Sequence, residues 1–171
     1  HLFKGEGQFV AHLQFKGQNK TVKFKPSKSN LSREQISLWQ DFEKKHLKEK
    51  QTGVLQVFGD QLYLLPEVLP DIGKLKIARN GLHLGTFKKK RFEPSFALGL
   101  ALKPSQVKQG IEIHQEDFVK YVAGETVQLV ETLPNGWYQV LVGGNGLGFA
   151  KVTGNILKNY FPKGLRFQVK N

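Results

Sequence analysis

Apolar positions along this chain change their period from segment to segment, and the changes mark its elements. The stretch GQFVAHLQF, residues 7–15, alternates like a strand. Residues 16–28 then place Lys16, Lys20, Lys23, Lys25 and Lys28 among polar neighbours with almost no apolar weight, which reads as an extended basic linker. Ser32 followed by Gln35 forms a capping-box pattern ahead of Ile36, Leu38, Trp39, Phe42 and His46 at helical spacing, so a helix is predicted over 33–48 with Trp39 as a core anchor. Two hairpins follow. Gly59-Asp60 suits a two-residue turn that puts Leu55, Val57, Leu62 and Leu64 on one face, and Asn80-Gly81 is the strongest short turn signal in the chain. Pairing Arg79 with Leu82 there buries Leu75, Ile77, Leu82 and Leu84 and leaves Lys74, Lys76 and His83 on the other face. In PSFALGLALKPS, Pro94 suits a first helical turn and Pro104 a stop.

Past Gly110 the texture turns β-rich. A short helix start at Glu116 and Asp117 gives way to TVQLVETL, WYQVLV and LGFAKV, separated by PNG and GGNG, which reads as consecutive antiparallel strands closing into a small barrel. Trp137 opens one of these strands and is expected to fill the barrel, its mouth being the other place for the ring. The expected fold class is α+β, a helix-plus-hairpins domain over 31–110 followed by a small β-barrel over 111–171. A chain of 171 residues buries roughly 70% of its unfolded surface, enough for one ordinary domain or two small ones.

Charge sharpens the picture. Against 14 Asp and Glu the chain carries 26 Lys and Arg, a formal net charge of +12, which attracts polyanions and is silent about fold. The excess is concentrated. Residues 132–171 contain no carboxylate, yet they hold Lys151, Lys158, Lys163 and Arg166 together with Asn159 and the aromatic pair Tyr160-Phe161. Nothing in that stretch repels a phosphate backbone. Tyr160 offers a stacking ring, although at least one of the two aromatics is expected in the core. The turn Pro162-Lys163-Gly164 displays Lys163. A second acid-free stretch, residues 74–91, holds seven Lys or Arg, among them Arg79, Lys88, Lys89, Lys90 and Arg91. A solvated strand end that blocks aggregation explains such a run equally well.

Candidate chemistry is thin. The five histidines are scattered, none at metal-ligand spacing from another, and there is no cysteine, which removes disulfides, thiolate zinc sites and cysteine nucleophiles. The cluster Gly143-Gly144-Asn145-Gly146-Leu147-Gly148 lacks the Lys-Ser/Thr ending of a phosphate loop and is followed by strand sequence, so a hairpin turn accounts for it. Neither a paired acid and base nor a serine nucleophile elbow can be argued. No run approaches the roughly 20 apolar residues of a membrane span. By residue chemistry the chain is a binding module with no membrane partner, and the absence of cysteine fits a cytoplasmic location.

Three segments carry a resemblance: HLFKGEGQFVAHL, LKIARNGLHLGTFKKKRFEPSFALGLAL and GLGFAKVTGNILKNYFPKGLR. Together they resemble the carboxy-terminal half of RsmF-type ribosomal RNA cytosine-5 methyltransferases of the Nol/Nop/Sun family. The resemblance implies that residues 1–15 are the last strand of a methyltransferase core, with His1 standing where the family has its Pro-His motif. It further implies a linker over 16–30, a first C-terminal domain over 31–110, and a PUA-like RNA-binding domain over 111–171. The family reaction uses S-adenosylmethionine and a pair of cysteines, one attacking C6 of the target cytosine. With no cysteine and an opening directly on strand-like sequence at His1, the chain is expected to be inert, with the catalytic half upstream. No cofactor is expected on the chain itself; S-adenosylmethionine is implied for the full-length enzyme.

The expected partners are ribosomal RNA, small-subunit RNA being one case, and the chain's own methyltransferase domain. The expected RNA contacts are Arg79, Lys88, Lys89, Lys90 and Arg91 in the first domain and Lys151, Lys158, Asn159, Tyr160, Lys163 and Arg166 in the second. Two other readings stand beside this one: a protein-interaction scaffold docked on the methyltransferase core, and a free-standing ribosome-associated RNA-binding protein.

Overall fold

The computed structural model describes residues 23–71 and 81–169. The strand expected over 7–15, the first strand of the Asn80-Gly81 hairpin and Arg79 lie outside the described residues.

Helix α1 (Arg33–His46) begins where its capping box places it. Ser32 Oγ accepts the Gln35 N–H at 3.2 Å and the Gln35 side chain accepts the Ser32 N–H at 2.9 Å, so two donors that a helix start leaves orphaned are satisfied. The helix stops short of residue 48 because Leu47 turns into the core and Lys48 donates its N–H to the Gln106 carbonyl. Trp39 and Phe42 are buried on its inner stripe, as the spacing requires. The chain before it is extended: β1 (Phe24–Pro26) pairs antiparallel with β4 (Val68–Pro70), and Lys25 reaches Asp71 at 2.9 Å.

A four-stranded sheet lies against α1. Strands β2 (Val54–Phe58) and β3 (Gln61–Leu65) turn at Gly59, φ +64°, and pair Leu55 with Leu64 and Val57 with Leu62, the register that the turn and the apolar pattern both specify. Next comes β5 (Leu82–Lys88), held between β3, through Leu64 and Leu82, and β6 (Arg91–Pro94), through Phe87 and Phe92. Pro94 therefore closes a strand, where a helix start was expected. Ser95 supplies the cap of α2 (Phe96–Ala101), its Oγ accepting the Leu98 N–H at 3.0 Å. Pro104 opens a 3₁₀ turn (Pro104–Gln106).

The second half is built on β7 (Gly110–Glu112), helix α3 (Gln115–Ala123), β8 (Val127–Gln128), β9 (Gly136–Val142), β10 (Asn145–Thr153) and β11 (Ile156–Lys158), with sheet order β7-β9-β10-β11-β8. Gly143 and Gly144, φ +56° and +76°, make the tight β9–β10 turn, so the glycine cluster is a hairpin. Two pairings differ from a consecutive antiparallel series. β7 runs parallel to β9, because α3 and the long connection after it intervene between them, and β8 pairs with β11 instead of its successor β9. Among the described residues the outer strands β7 and β8 do not pair with each other, so the expected barrel is seen as an open five-stranded sheet.

Side chains of β9 and β10 alternate between two cores. Tyr138, Val140, Ala150 and Val152 pack with Tyr121, Val127, Leu157 and Phe161 on one face. Trp137 and Phe149 point the other way, into the cluster of Trp39, Phe42, Phe92, Leu98 and Val107. Trp137 thus fills the space between the two halves and not a barrel interior, because its register partners share the face that meets α1. Gln139, on the same face and fully buried, donates its amide to the carbonyls of Gly99 and Leu102, both at 2.8 Å, and ties β9 to the end of α2. Gly99 permits that approach: a Cβ there would stand 2.5 Å from the Gly148 backbone.

Candidate nucleic-acid interface

The run Lys88 to Arg91 is a β-turn. Lys88 faces Arg91 across the β5–β6 hairpin, and Lys89 and Lys90 form its tip. Lys88 is 3.7 Å from Asp60, and Arg91 Nε donates to Glu93 at 3.0 Å. Among the described residues no carboxylate lies within ion-pair distance of Lys89 or Lys90. Lys90 also holds φ at +55°, the one non-glycine residue there with a positive value, a conformation that glycine adopts at less cost.

From the other half a row of side chains leads to the same place. In register Lys158 stands opposite Lys151, and Lys151 opposite Trp137, so all three share one sheet face. Tyr160, two residues beyond Lys158, rests edge-on against Trp137 with ring centroids 4.6 Å apart and remains 40% exposed. Its phenol is held above the usual value of 10.0, chiefly by burial and then by the nearby Glu93 carboxylate, with Arg91 opposing. A cleft of about 210 Å³ has Lys45, Lys90, Arg91 and Trp137 among its walls, with Asp41 the carboxylate in its lining. Two basic sites separated in sequence are therefore adjacent in space.

His46 sits in the same cleft wall. Its ring hydrogen-bonds the Trp137 main chain, and Nδ1 is buried without a partner among the described residues. Burial, then the Lys45 ammonium, holds its pKa below the ordinary 6.5.

The remaining expected contacts divide. Phe161 is the inward aromatic of its pair, against Tyr121 and Phe96. Asn159 serves the scaffold. Its amide donates to the carbonyls of Tyr121 at 2.6 Å and Glu125 at 2.8 Å, capping α3, while its oxygen accepts the Phe161 N–H at 2.9 Å. Both amide hydrogens are used, which leaves none to offer an RNA. Lys163 is exposed on a 3₁₀ turn (Lys163–Leu165), as the Pro-Lys-Gly sequence suggested. Arg166 is exposed and lies across Gly124 at the C-terminal end of α3, where a helix dipole favours a cation.

Sequence reasoning missed Lys45 and the cleft-facing role of Trp137. Lys45 sits in a stretch of mixed charge on α1 with no local signal, and only the packing of α1 against β6 and β9 places it. A larger cavity, about 420 Å³, opens at the other side of the α1 terminus among Lys44, Lys48, Lys50 and Lys108, with Glu43 and Glu49 beside them and no aromatic ring. Among the described residues no group of three or more His, Cys, Asp or Glu could hold a metal, and no helix is long and apolar enough to cross a membrane.

Residues 41–102 match the family described as the RsmF rRNA methyltransferase first C-terminal domain, and residues 108–167 match the methyltransferase RsmF PUA domain. The chain belongs to the RsmF family. The ribosomal RNA small subunit methyltransferase F of Shewanella loihica is 34% identical over 115 residues, which is 66% of this chain and 23% of the relative. Its counterpart in Shewanella oneidensis is 35% identical over 114 residues, 66% of this chain and 24% of the relative. The chain thus spans about a quarter of the length of the curated relatives it matches. The two RsmF matches meet between residues 102 and 108, the short connection that leads from α2 into β7.

Proposed function

We propose that this RsmF region grips ribosomal RNA, small-subunit RNA in particular, and positions it for an S-adenosylmethionine-dependent cytosine-5 methyltransferase core in the same protein. The observation that carries the reading is the convergence of Lys45, Lys90, Arg91, Lys151 and Lys158 around Trp137 and Tyr160, in a chain of net charge +12. Chemistry on a base needs the nucleotide exposed or extruded, and a catalytic core gains from a neighbouring surface that holds the flanking backbone. Lysines supply that hold by releasing counterions from phosphates, and the aromatic supplies a platform for an unstacked base. The sheet of β7 to β11 we read as the PUA-like barrel of this region, with Lys163 and Arg166 extending its basic surface. No residue of the chain is assigned a catalytic role; S-adenosylmethionine and the nucleophile belong to the core.

Binding of the chain to ribosomal RNA, titrated between about 50 and 200 mM salt, tests the reading. If about five phosphates are neutralised on single strands, log K against log salt slopes at roughly −3.5. A slope near zero removes the electrostatic argument and favours a scaffold that docks on protein.

A further inference from the structure

Resting on that RNA reading, we infer that the seam between the two halves is one composite site for an unpaired ribonucleotide. The base lies against Tyr160, one flanking phosphate meets Lys45 and Lys90, and the other meets Lys151 and Lys158.

Four observations support a single site of this chemistry. Tyr160 packs at a steep angle against Trp137 yet keeps 40% of its surface exposed, so it offers a ring to a ligand with little side-chain freedom left to lose. Lys151 and Lys158 stand directly opposite each other in the β10–β11 register, and no carboxylate among the described residues is within ion-pair distance of either. Like charges so placed repel until an anion sits between them. On the opposite lip Lys90 retains a left-handed backbone that glycine would adopt more easily, so a side chain with an ammonium is kept at a conformational cost. The cleft beside the Tyr160 ring, about 210 Å³ with Lys45, Lys90 and Trp137 in its lining, is smaller than the pockets that hold drug-sized ligands. An aromatic side chain cannot stack on bases already stacked within a duplex, whereas unpaired loop bases are read by such rings.

The test uses the 171-residue chain, a fluorescent single-stranded oligoribonucleotide of mixed sequence, and the same strand annealed to its complement. Tyr160→Leu keeps apolar contact with Trp137 and removes the stacking ring; it is expected to weaken single-strand binding about tenfold while leaving duplex binding unchanged. Tyr160→Phe retains parental affinity. Thermal unfolding establishes that each variant is folded; if the Leu variant is not, Lys90→Gly carries the comparison, with loss expected on the single strand and none on the duplex. Combining Tyr160→Leu with Lys90→Gly is expected to cost less than the product of the two single losses, because both act on one bound nucleotide. Parental single-strand affinity in Tyr160→Leu, equal loss on duplex and single strand, or fully multiplicative losses would each overturn the composite site while leaving RNA binding intact. Salt-independent, negligible binding by the parent chain would instead remove the RNA reading and this inference together.

Discussion

Asn159 shows how a polar side chain in a basic stretch can belong to the scaffold. Between Lys158 and Tyr160 it shares their sequence context, but its amide closes the C-terminal end of α3 and fixes the segment after β11 that presents Tyr160. Asn159→Ala is expected to lower stability by about 1–3 kcal/mol in a denaturant titration, from the loss of its three hydrogen bonds. His46 gives a pH dependence of definite sign. Its folded pKa lies below the ordinary 6.5, so as pH falls the unfolded chain takes up the proton first. The stability it contributes is complete above 6.5, declines as pH drops below that value, and levels off under the folded pKa. Unfolding free energies across that window should show the decline in the parent and lose this component in His46→Gln. The capping partners Ser32 and Gln35 could be read directly, since their bond spans three residues; the carbonyls that the Asn159 amide reaches are 34 and 38 residues away and could not.

At the scale of elements, the joint between α2 and β9–β10 decides how the halves meet. Gln139 is the buried polar residue at its centre, and its two hydrogen bonds satisfy carbonyls at the end of a helix. Gln139→Ala leaves those carbonyls unpaired beside a cavity, and a loss of about 2–4 kcal/mol is expected by denaturation. Gly99→Ala tests the same joint from the other side. Its new Cβ would meet backbone that no side-chain rotation can move, so a cost of about 1–3 kcal/mol is expected. The β2–β3 register was legible because turn and alternation agree. The inward Trp137 was not, because alternation tells which strand residues share a face and does not name the layer that covers it.

Over the whole molecule the connection between the two RsmF matches is part of the packed structure. Lys108 donates its N–H to the His46 carbonyl, Leu47 bridges Val107, and the Gln139 N–H reaches the Gln109 carbonyl. Residues from both halves share one core. Cations on α1, on the β5–β6 turn and on the second sheet therefore keep fixed separations. Replacing Lys88, Lys89, Lys90 and Arg91 with glutamine is expected to reduce the magnitude of the salt slope on ribosomal RNA by roughly 0.7 for each phosphate that is no longer neutralised. Lys163→Gln with Arg166→Gln measures the outlying pair in the same titration. Equal parental slopes in both variants would place the RNA path elsewhere.

Local information in the chain settled its charge excess, the capped start of α1, the β2–β3 hairpin, the glycine turn of β9–β10 and the family resemblance. Each depends on residues a few positions apart, where dihedral preference and hydrogen-bond reach act without help from the rest of the fold. The adjacency of the two basic runs, the inward turn of Trp137, the internal use of Asn159 and the arrival of Lys45 at the cleft depend on how helices and sheets stack. Stacking is governed by the shape of surfaces formed from distant segments, such as Gly99 against Gly148, and a pattern read along the chain does not contain those distances.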